Sequence, residues 1–303
     1  MRRPERMGEL SMVDGTWLER VRAAQALAYE CVETVAGSLY EGQTERDAAA
    51  AVEQWLRTRG VREWFHQPFA WFGERTAFEA SPRWTPLHFF PTNRRLRDGM
   101  PVILDVAPVL DGAAADVGYA CWFGSQPNPL HERLLADLEP YRDLVLEGVR
   151  AGDHLNRIYR RCDELIADQG HRSRHRAYPF SVIAHRMEDR PPVPVRGLGA
   201  LRTRRVGGFG FGAQRFLLSE LGASVRGAVP SPLWNGGPFS NRPAAVGLWA
   251  VEPHLAFGQG ASSIGVKWEE ILVVTEDDAF WLDDDLPHVR RWVDARATRV
   301  AVA

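Results

Sequence analysis

Between positions 16 and 39 apolar side chains return at alternating steps of four and three, at Trp17, Val21, Ala24, Ala28, Cys31 and Val35. Residues so spaced share one stripe of an α-helix, which predicts a surface helix packed on a sheet. After Gly42, Thr44 with Asp47 three residues on signals the capped start of a second helix. Ala48, Val52 and Trp55 or Leu56 form its inward face, and Gly60 ends it. Aromatic-rich sequence of strand character follows. The same plan recurs where Gly152 and Asp153 open a helix with Leu155, Ile158, Tyr159, Cys162, Leu165 and Ile166 on one face, closed by Gly170. Gly42 to Gly60 and Gly152 to Gly170 are both 18 apart, and each unit leads into β sequence and a hairpin-like region. Two related halves account for this recurrence, and so, on the spacing alone, does chance repetition of capped helices. Residues 129 to 150 read as helix, broken or kinked by Pro140. Residues 190 to 245, rich in Arg, Gly and Pro, read as loops with one short helix around Phe216 to Leu221. The glycines of GFGFG within that stretch lack the spacing and strand-to-helix context of a dinucleotide fingerprint, so no cofactor loop is expected there.

The segment VILDVAPVLDGAAADVGYACWFG holds two β runs joined by Asp111 and Gly112, a favoured pair for a tight hairpin turn. If Leu110 pairs with Ala113, Asp116 lies opposite Ala107, which shares a sheet face with Asp105 because strand side chains alternate. Two carboxylates placed diagonally repel unless a cation or proton intervenes, which suggests a metal site. Two solvent-facing aspartates on an exposed hairpin would look the same from this segment alone. The second half supplies LWAVEPHL and VKWEEILVVTEDDAFWL, which carry Glu252 and Glu269 in apolar β sequence. One such glutamate usually faces solvent, but two that match an acidic pair in the first half favour a ligand cluster.

Composition narrows the class. With 303 residues, 45% hydrophobic and 25% charged, the chain reads as a globular α/β protein. We expect an N-terminal extension at 1–14 and a single catalytic domain over 15–303, with the loop-rich insertion around 190–245. All but one of its 37 basic residues are arginine, Lys267 being the exception, and the formal net charge is −2. That bias reflects genome composition more readily than a binding surface, and no arginine run interleaves with stacking aromatics, so no nucleic-acid partner is expected. No apolar run has the length a bilayer requires, and MRRPERMGELSM lacks the apolar stretch of a signal peptide, so no membrane association is expected. Cys31, Cys121 and Cys162 are odd in number and far apart, which fits a reducing cytoplasm. Cys31 and Cys162 fall on helical apolar stripes and receive no chemistry.

The ordered motifs carry a family resemblance. HFFPTNRRLRDGMPVILDVAPVLDGAAAD, with Asp105 and Asp116 eleven residues apart, resembles the pita-bread metallopeptidases, the family of methionine aminopeptidase, aminopeptidase P and creatinase. VEPHL resembles that family's glutamate-proline strand and KWEEILVVTEDD its closing strand, and order and separation agree from about residue 15 to 283. The resemblance implies pseudo-twofold halves with a curved antiparallel sheet covered by helices. It implies metal-ligand roles for Asp105, Asp116, Glu252 and Glu269, which hold two divalent ions in the family. It also implies a substrate-binding role for His88 and a place near the scissile bond for His185. Seven residues before His185, where the family has a ligand histidine, this chain has Tyr178. Three alternatives stay open there: Tyr178 coordinates a strong Lewis acid such as ferric iron as a phenolate, His171 or His175 supplies the nitrogen, or one ion is held poorly. With oxygen donors dominant, manganese or iron is favoured, with cobalt and zinc as alternatives.

The function so implied is aminopeptidase-like hydrolysis of a short peptide or small amide, with Glu252 shuttling a proton and His185 and His88 hydrogen-bonding the substrate or intermediate. A homodimer is implied as well. The rival is a divergent enzyme acting on a small nitrogen compound, creatinase being the family precedent for dispensing with metal, and the third reading is a metal-poor pseudo-enzyme. An additional N-terminal domain of the long aminopeptidase P type is not expected. Beside these residues, His66 reads as a core or loop histidine, His254 equally as an outer partner of the site or an exposed residue, and Trp64, Trp71, Trp84 and Phe89 as core. Asp283 to Asp285 read as a solvated turn.

Overall fold

The computed structural model describes residues 15–78, 86–188, 205–227 and 229–302; the expected extension and Trp84 lie outside them. The first helix spans Gly15–Gly37 and buries all six stripe residues, Trp17 to Val35. The second, Glu45–Thr58, starts with the reciprocal cap predicted for Thr44 and Asp47 and turns Ala48, Val52 and Leu56 inward. The amphipathic counterpart in the second half is Leu155–Asp168, again with its apolar face buried. All four glycines that bracket these two units have positive φ, between 70° and 94°, where a side chain would be strained. The 129–150 segment divides into helices Pro129–Asp137 and Glu139–Arg150, broken at Leu138, because Pro140 favours a first-turn position where no amide hydrogen is needed. The short helix expected in the loop-rich region is instead fifteen residues long, Phe211–Val225.

In the first half, strands β1 (Glu63–Phe72), β2 (Met100–Leu110), β3 (Ala113–Ala114) and β4 (Val117–Phe123) form an antiparallel sheet centred on β2. In the second half follow β5 (Arg172–Ser173) and β6 (Ala184–Met187), then β7 (Arg205–Val206) and β8 (Phe209–Gly210), which extend the first sheet from β1. The chain continues through β9 (Leu233–Trp234), β10 (Gly247–Val251), β11 (His254–Phe257), β12 (Ile264–Lys267), β13 (Glu270–Val274) and β14 (Ala279–Trp281). These give a five-stranded sheet ordered β14-β13-β10-β6-β9 and a three-stranded one ordered β12-β11-β5, all antiparallel. Helices pack over the sheets, and three apolar clusters fill the space between them.

Two breaks link the second-half sheets: Glu252 and Pro253 separate β10 from β11, and Trp268 and Glu269 separate β12 from β13. The second break bridges to the first half, where Trp268 pairs with Tyr119 of β4. Tyr29 of the first helix donates to the Glu269 carbonyl at 2.6 Å and so anchors this break from behind.

A candidate active site with an internal cation

The acidic hairpin has the register its turn chemistry predicts. Leu110 pairs with Ala113, and Asp111 and Gly112 both take positive φ, 49° and 84°, as a type I′ turn requires. Pairing resumes with Val106 opposite Val117 and Asp105 opposite Gly118, so Asp116 falls level with Ala107, in the gap between β3 and β4. Asp105 points from the middle of β2 to the same region, while Glu252 and Glu269 enter from the two strand breaks. All four carboxylates are buried, between 1% and 8% exposed.

What neutralises them is partly the protein itself. Lys267 Nζ lies 2.6 Å from Asp105 Oδ2, 2.9 Å from Glu252 Oε2 and 2.9 Å from Glu269 Oε2, and its side chain is completely buried. Strand alternation puts Lys267 on the same face as Glu269, two residues on. His66 on β1 supplies a second partner, with Nε2 2.9 Å from Asp116 Oδ1 and 3.2 Å from Asp105 Oδ1. Its Nδ1 faces the Gln67 carbonyl at 2.8 Å, so an imidazolium donates from both nitrogens, to that carbonyl and to Asp116 Oδ1, with Asp105 Oδ1 in ion-pair range. Burial opposes charge on His66, but Asp116 and then Asp105 outweigh it and raise its pKa to about 9. His185 on β6 places Nε2 3.3 Å from Asp116 Oδ2 and stacks on Phe65. Burial opposes charge on it, but close contact with ionised Asp116 outweighs burial and raises its pKa as well. Burial likewise works against ionised Asp116, yet the charge of His66 and the close approach of His185 hold it well below the usual carboxylate range. Glu252 and Glu269 go the other way, since burial raises both despite the nearby Lys267.

Among the described residues, three sets of donors come close enough to share an ion: His66–Asp105–Asp116, Asp116–His185–Glu269 and Asp105–Glu252–Glu269, with ligand atoms within 4.8 Å of one another in each. The third surrounds the Lys267 ammonium, which has no lone pair to offer a metal and fills the place itself. The other two retain unspent capacity. Asp105 Oδ1 and Asp116 Oδ2 are buried and accept no hydrogen bond of good geometry, although His66 and His185 nitrogens stand within ion-pair range. The donor chemistry therefore fits one divalent ion at the Asp116–His185–Glu269 end, and does not fit a second at the Lys267 end.

Several expectations need correction. The Tyr178 hydroxyl lies 3.0 Å from His254 Nδ1, while His254 Nε2 faces the Thr76 carbonyl at 2.7 Å, so the phenol donates to the imidazole, whose other nitrogen donates to the carbonyl. Burial, the largest influence, pushes the phenol well above its ordinary pKa even against the charge of Lys267. A phenolate ligand at Tyr178 is thus disfavoured, and what the residue turns toward the cluster is its ring, 5.1 Å from Lys267 Nζ. His171 and His175 do not replace the missing nitrogen, being held by Asp137 and Asp163. His88 lies outside the cavity lining; its ring packs on Phe89 and edge-on to Phe78, and Phe89 and Phe90 take the cavity side of that segment. His66, which sequence reasoning set aside as a core or loop histidine, stands in the acid cluster instead. His254 is fully buried rather than exposed. Lys267 was missed as a site residue, though its position two residues before Glu269 and its uniqueness in an arginine-rich chain were both visible.

The cluster floors a cavity that encloses about 180 Å³. Phe65, Phe69, Trp71, Phe89, Phe90, Phe180, Leu217 and Leu233 make its walls largely apolar, with Asp105, Asp116, His66, His185, Glu252 and Glu269 also lining it. Phe180 takes a positive φ of 61° and is 71% exposed, a strained aromatic residue among the cavity-lining side chains.

Known proteins share this architecture. The dipeptidase from Pyrococcus horikoshii OT3 superposes with a TM-score of 0.61 at 17% identity, covering 89% of this chain and 60% of that one. The X-Pro aminopeptidase from Thermotoga maritima MSB8 gives 0.61 at 16%, covering 91% and 62%. Methionine aminopeptidase from Rickettsia prowazekii gives 0.58 at 15%, covering 89% and 97%. At these identities the likeness is one of fold, the pita-bread fold. In sequence, the uncharacterized peptidase SAB1567 of Staphylococcus aureus (strain bovine RF122 / ET3-1) is 25% identical over 154 residues, which are 51% of this chain and 41% of that protein. The chain thus matches well under half the length of this curated relative. The sequence profile of metallopeptidase family M24 matches residues 19–276, and the chain belongs to that family.

Proposed function

We propose that this protein is a metal-dependent hydrolase that cleaves the amide bond of a short peptide or small amide with an apolar group beside the scissile bond. The observation that carries the reading is the meeting, in one cavity, of four buried carboxylates and two histidines with an aromatic wall. Asp116, Glu269 and His185 would hold a divalent ion, with manganese or iron the best match to an oxygen-rich donor set. Such an ion supplies Lewis-acid stabilisation of charge developing on the carbonyl oxygen. The chain's own residues do the rest. Glu252, whose pKa is raised by burial, is suited to take a proton from the attacking water and pass it to the leaving nitrogen. His66, biased toward the charged form, places positive charge beside the oxygens on which negative charge develops. The apolar wall binds the side chain and excludes water.

We place the protein in a reducing compartment such as the cytoplasm, on the strength of three unpaired cysteines; among the described residues no helix is long and apolar enough to cross a membrane. A second reading, chemistry on a small nitrogen compound with little or no metal, is favoured by Lys267 alone. Turnover of short peptides with free and with blocked amino termini in manganese buffer tests the first reading. Release of an apolar first residue from free peptides supports it. Failure on all peptides, with turnover of small non-peptide amides, would replace it with the second.

A further inference from the structure

We propose that the Lys267 ammonium permanently occupies the place of one of the two ions the family resemblance implies, leaving a site that admits one divalent ion at most. The inference rests on reading the acid cluster as an ion site, and it stands or falls independently of peptide cleavage. Three observations converge on it. The first is position: Nζ touches three of the four carboxylates at 2.6–2.9 Å, so a second cation among Asp105, Glu252 and Glu269 would have to share space with it.

The second is room made for the stem. A Cβ on Gly118, directly across the hairpin from Asp105, would stand 2.4 Å from Lys267 Cε, 3.0 Å from Cδ and 3.1 Å from Nζ. Gly118 is not among the positive-φ glycines, so backbone conformation does not demand glycine there. The lysine does. The third is an aromatic neighbour: the ring of Tyr178, at the position where the resemblance expects a ligand nitrogen, stands 5.1 Å from the ammonium, a favourable cation–π arrangement.

The residue choice strengthens the case. In a chain whose other basic residues are all arginine, the single lysine sits at the centre of the acids. An ammonium is a compact point charge with three tetrahedral donors and can sit among three carboxylates as a small ion does, whereas a guanidinium is planar and needs a fork-shaped partner. Asp116, the acid Lys267 does not touch, is served by His66 and His185 instead.

The test is ion stoichiometry, read without any activity. Wild type and Lys267→Ala are stripped with chelator, equilibrated against manganese, and assayed for bound metal per chain by mass spectrometry and titration calorimetry. The expected result is no more than one ion in wild type and one additional ion in the variant. Two ions in wild type, or the same number in both proteins, would overturn the inference. Should alanine prevent folding, Lys267→Met, which keeps most of the stem and removes the charge, is read in the same way. Absence of peptidase activity in wild type, with the expected stoichiometry, would count against the proposed function alone.

Discussion

Gly118→Ala is the sharpest perturbation of this site, because it adds one methyl group and removes no charge. Carbon atoms approach comfortably to about 3.5 Å, and the new Cβ would lie 2.4 Å from Lys267 Cε. The lysine stem must therefore retreat by roughly 1 Å, a shift its own flexibility would allow if the tip were free. It is not free, being pinned by contacts of 2.6, 2.9 and 2.9 Å to Asp105, Glu252 and Glu269. Overpacking a filled core costs about 1–3 kcal/mol, and removing one partner of a buried ion pair outright costs about 3–5 kcal/mol. A partial retreat falls between these, so we expect a loss of about 2–4 kcal/mol in urea unfolding. The control is a double-mutant cycle with Lys267→Ala in manganese buffer. Without the stem, the three atoms nearest the methyl group are gone, and the Gly118→Ala penalty should fall by about 1–3 kcal/mol. An equal penalty in both backgrounds would show that Gly118 is needed for some reason other than Lys267, and the reasoning about that glycine would fail.

Two further outcomes follow from the same geometry. Tyr178→Phe removes the donor to His254 Nδ1 and should cost about 1 kcal/mol of stability, but it should leave the number of bound ions unchanged; loss of an ion would reinstate Tyr178 as a ligand. In chelator-treated protein, His66 should stabilise the fold in a pH-dependent way, since its pKa is about 9 in the native state against an ordinary 6.5. A raised value means the contribution is complete below the unfolded pKa and disappears as pH rises through the folded one. The difference is worth on the order of 3 kcal/mol. Unfolding of wild type and His66→Gln at about pH 6 and about pH 10 isolates it; a gap that does not shrink at the higher pH contradicts the assignment.

Local rules made most of the scaffold legible in the sequence. The stripes of the first helix and of Leu155–Asp168, the cap at Thr44, the glycines at both ends of each unit and the Asp111-Gly112 turn depend on residues a few positions apart, so spacing is enough to specify them. The turn also fixed the register that brings Asp116 level with Ala107. Glu252 and Glu269 were visible as acids in apolar strands, and their meeting with the aspartates was carried by the order of motifs. The tertiary structure alone decided how those acids are neutralised. His66 reaches the cluster because β1 lies antiparallel to β2, a pairing no local pattern reveals. His88 is left out because the turn that carries it gives the cavity side to Phe89 and Phe90, and Tyr178 is turned away by a hydrogen bond to a histidine 76 residues later. Lys267 is intermediate: alternation places it beside Glu269, but only long-range packing against Gly118, Asp105 and Glu252 makes it the cation of the site. Charge compensation in a buried cluster is a property of distances between strands remote in sequence, and a linear pattern contains the charges without those distances.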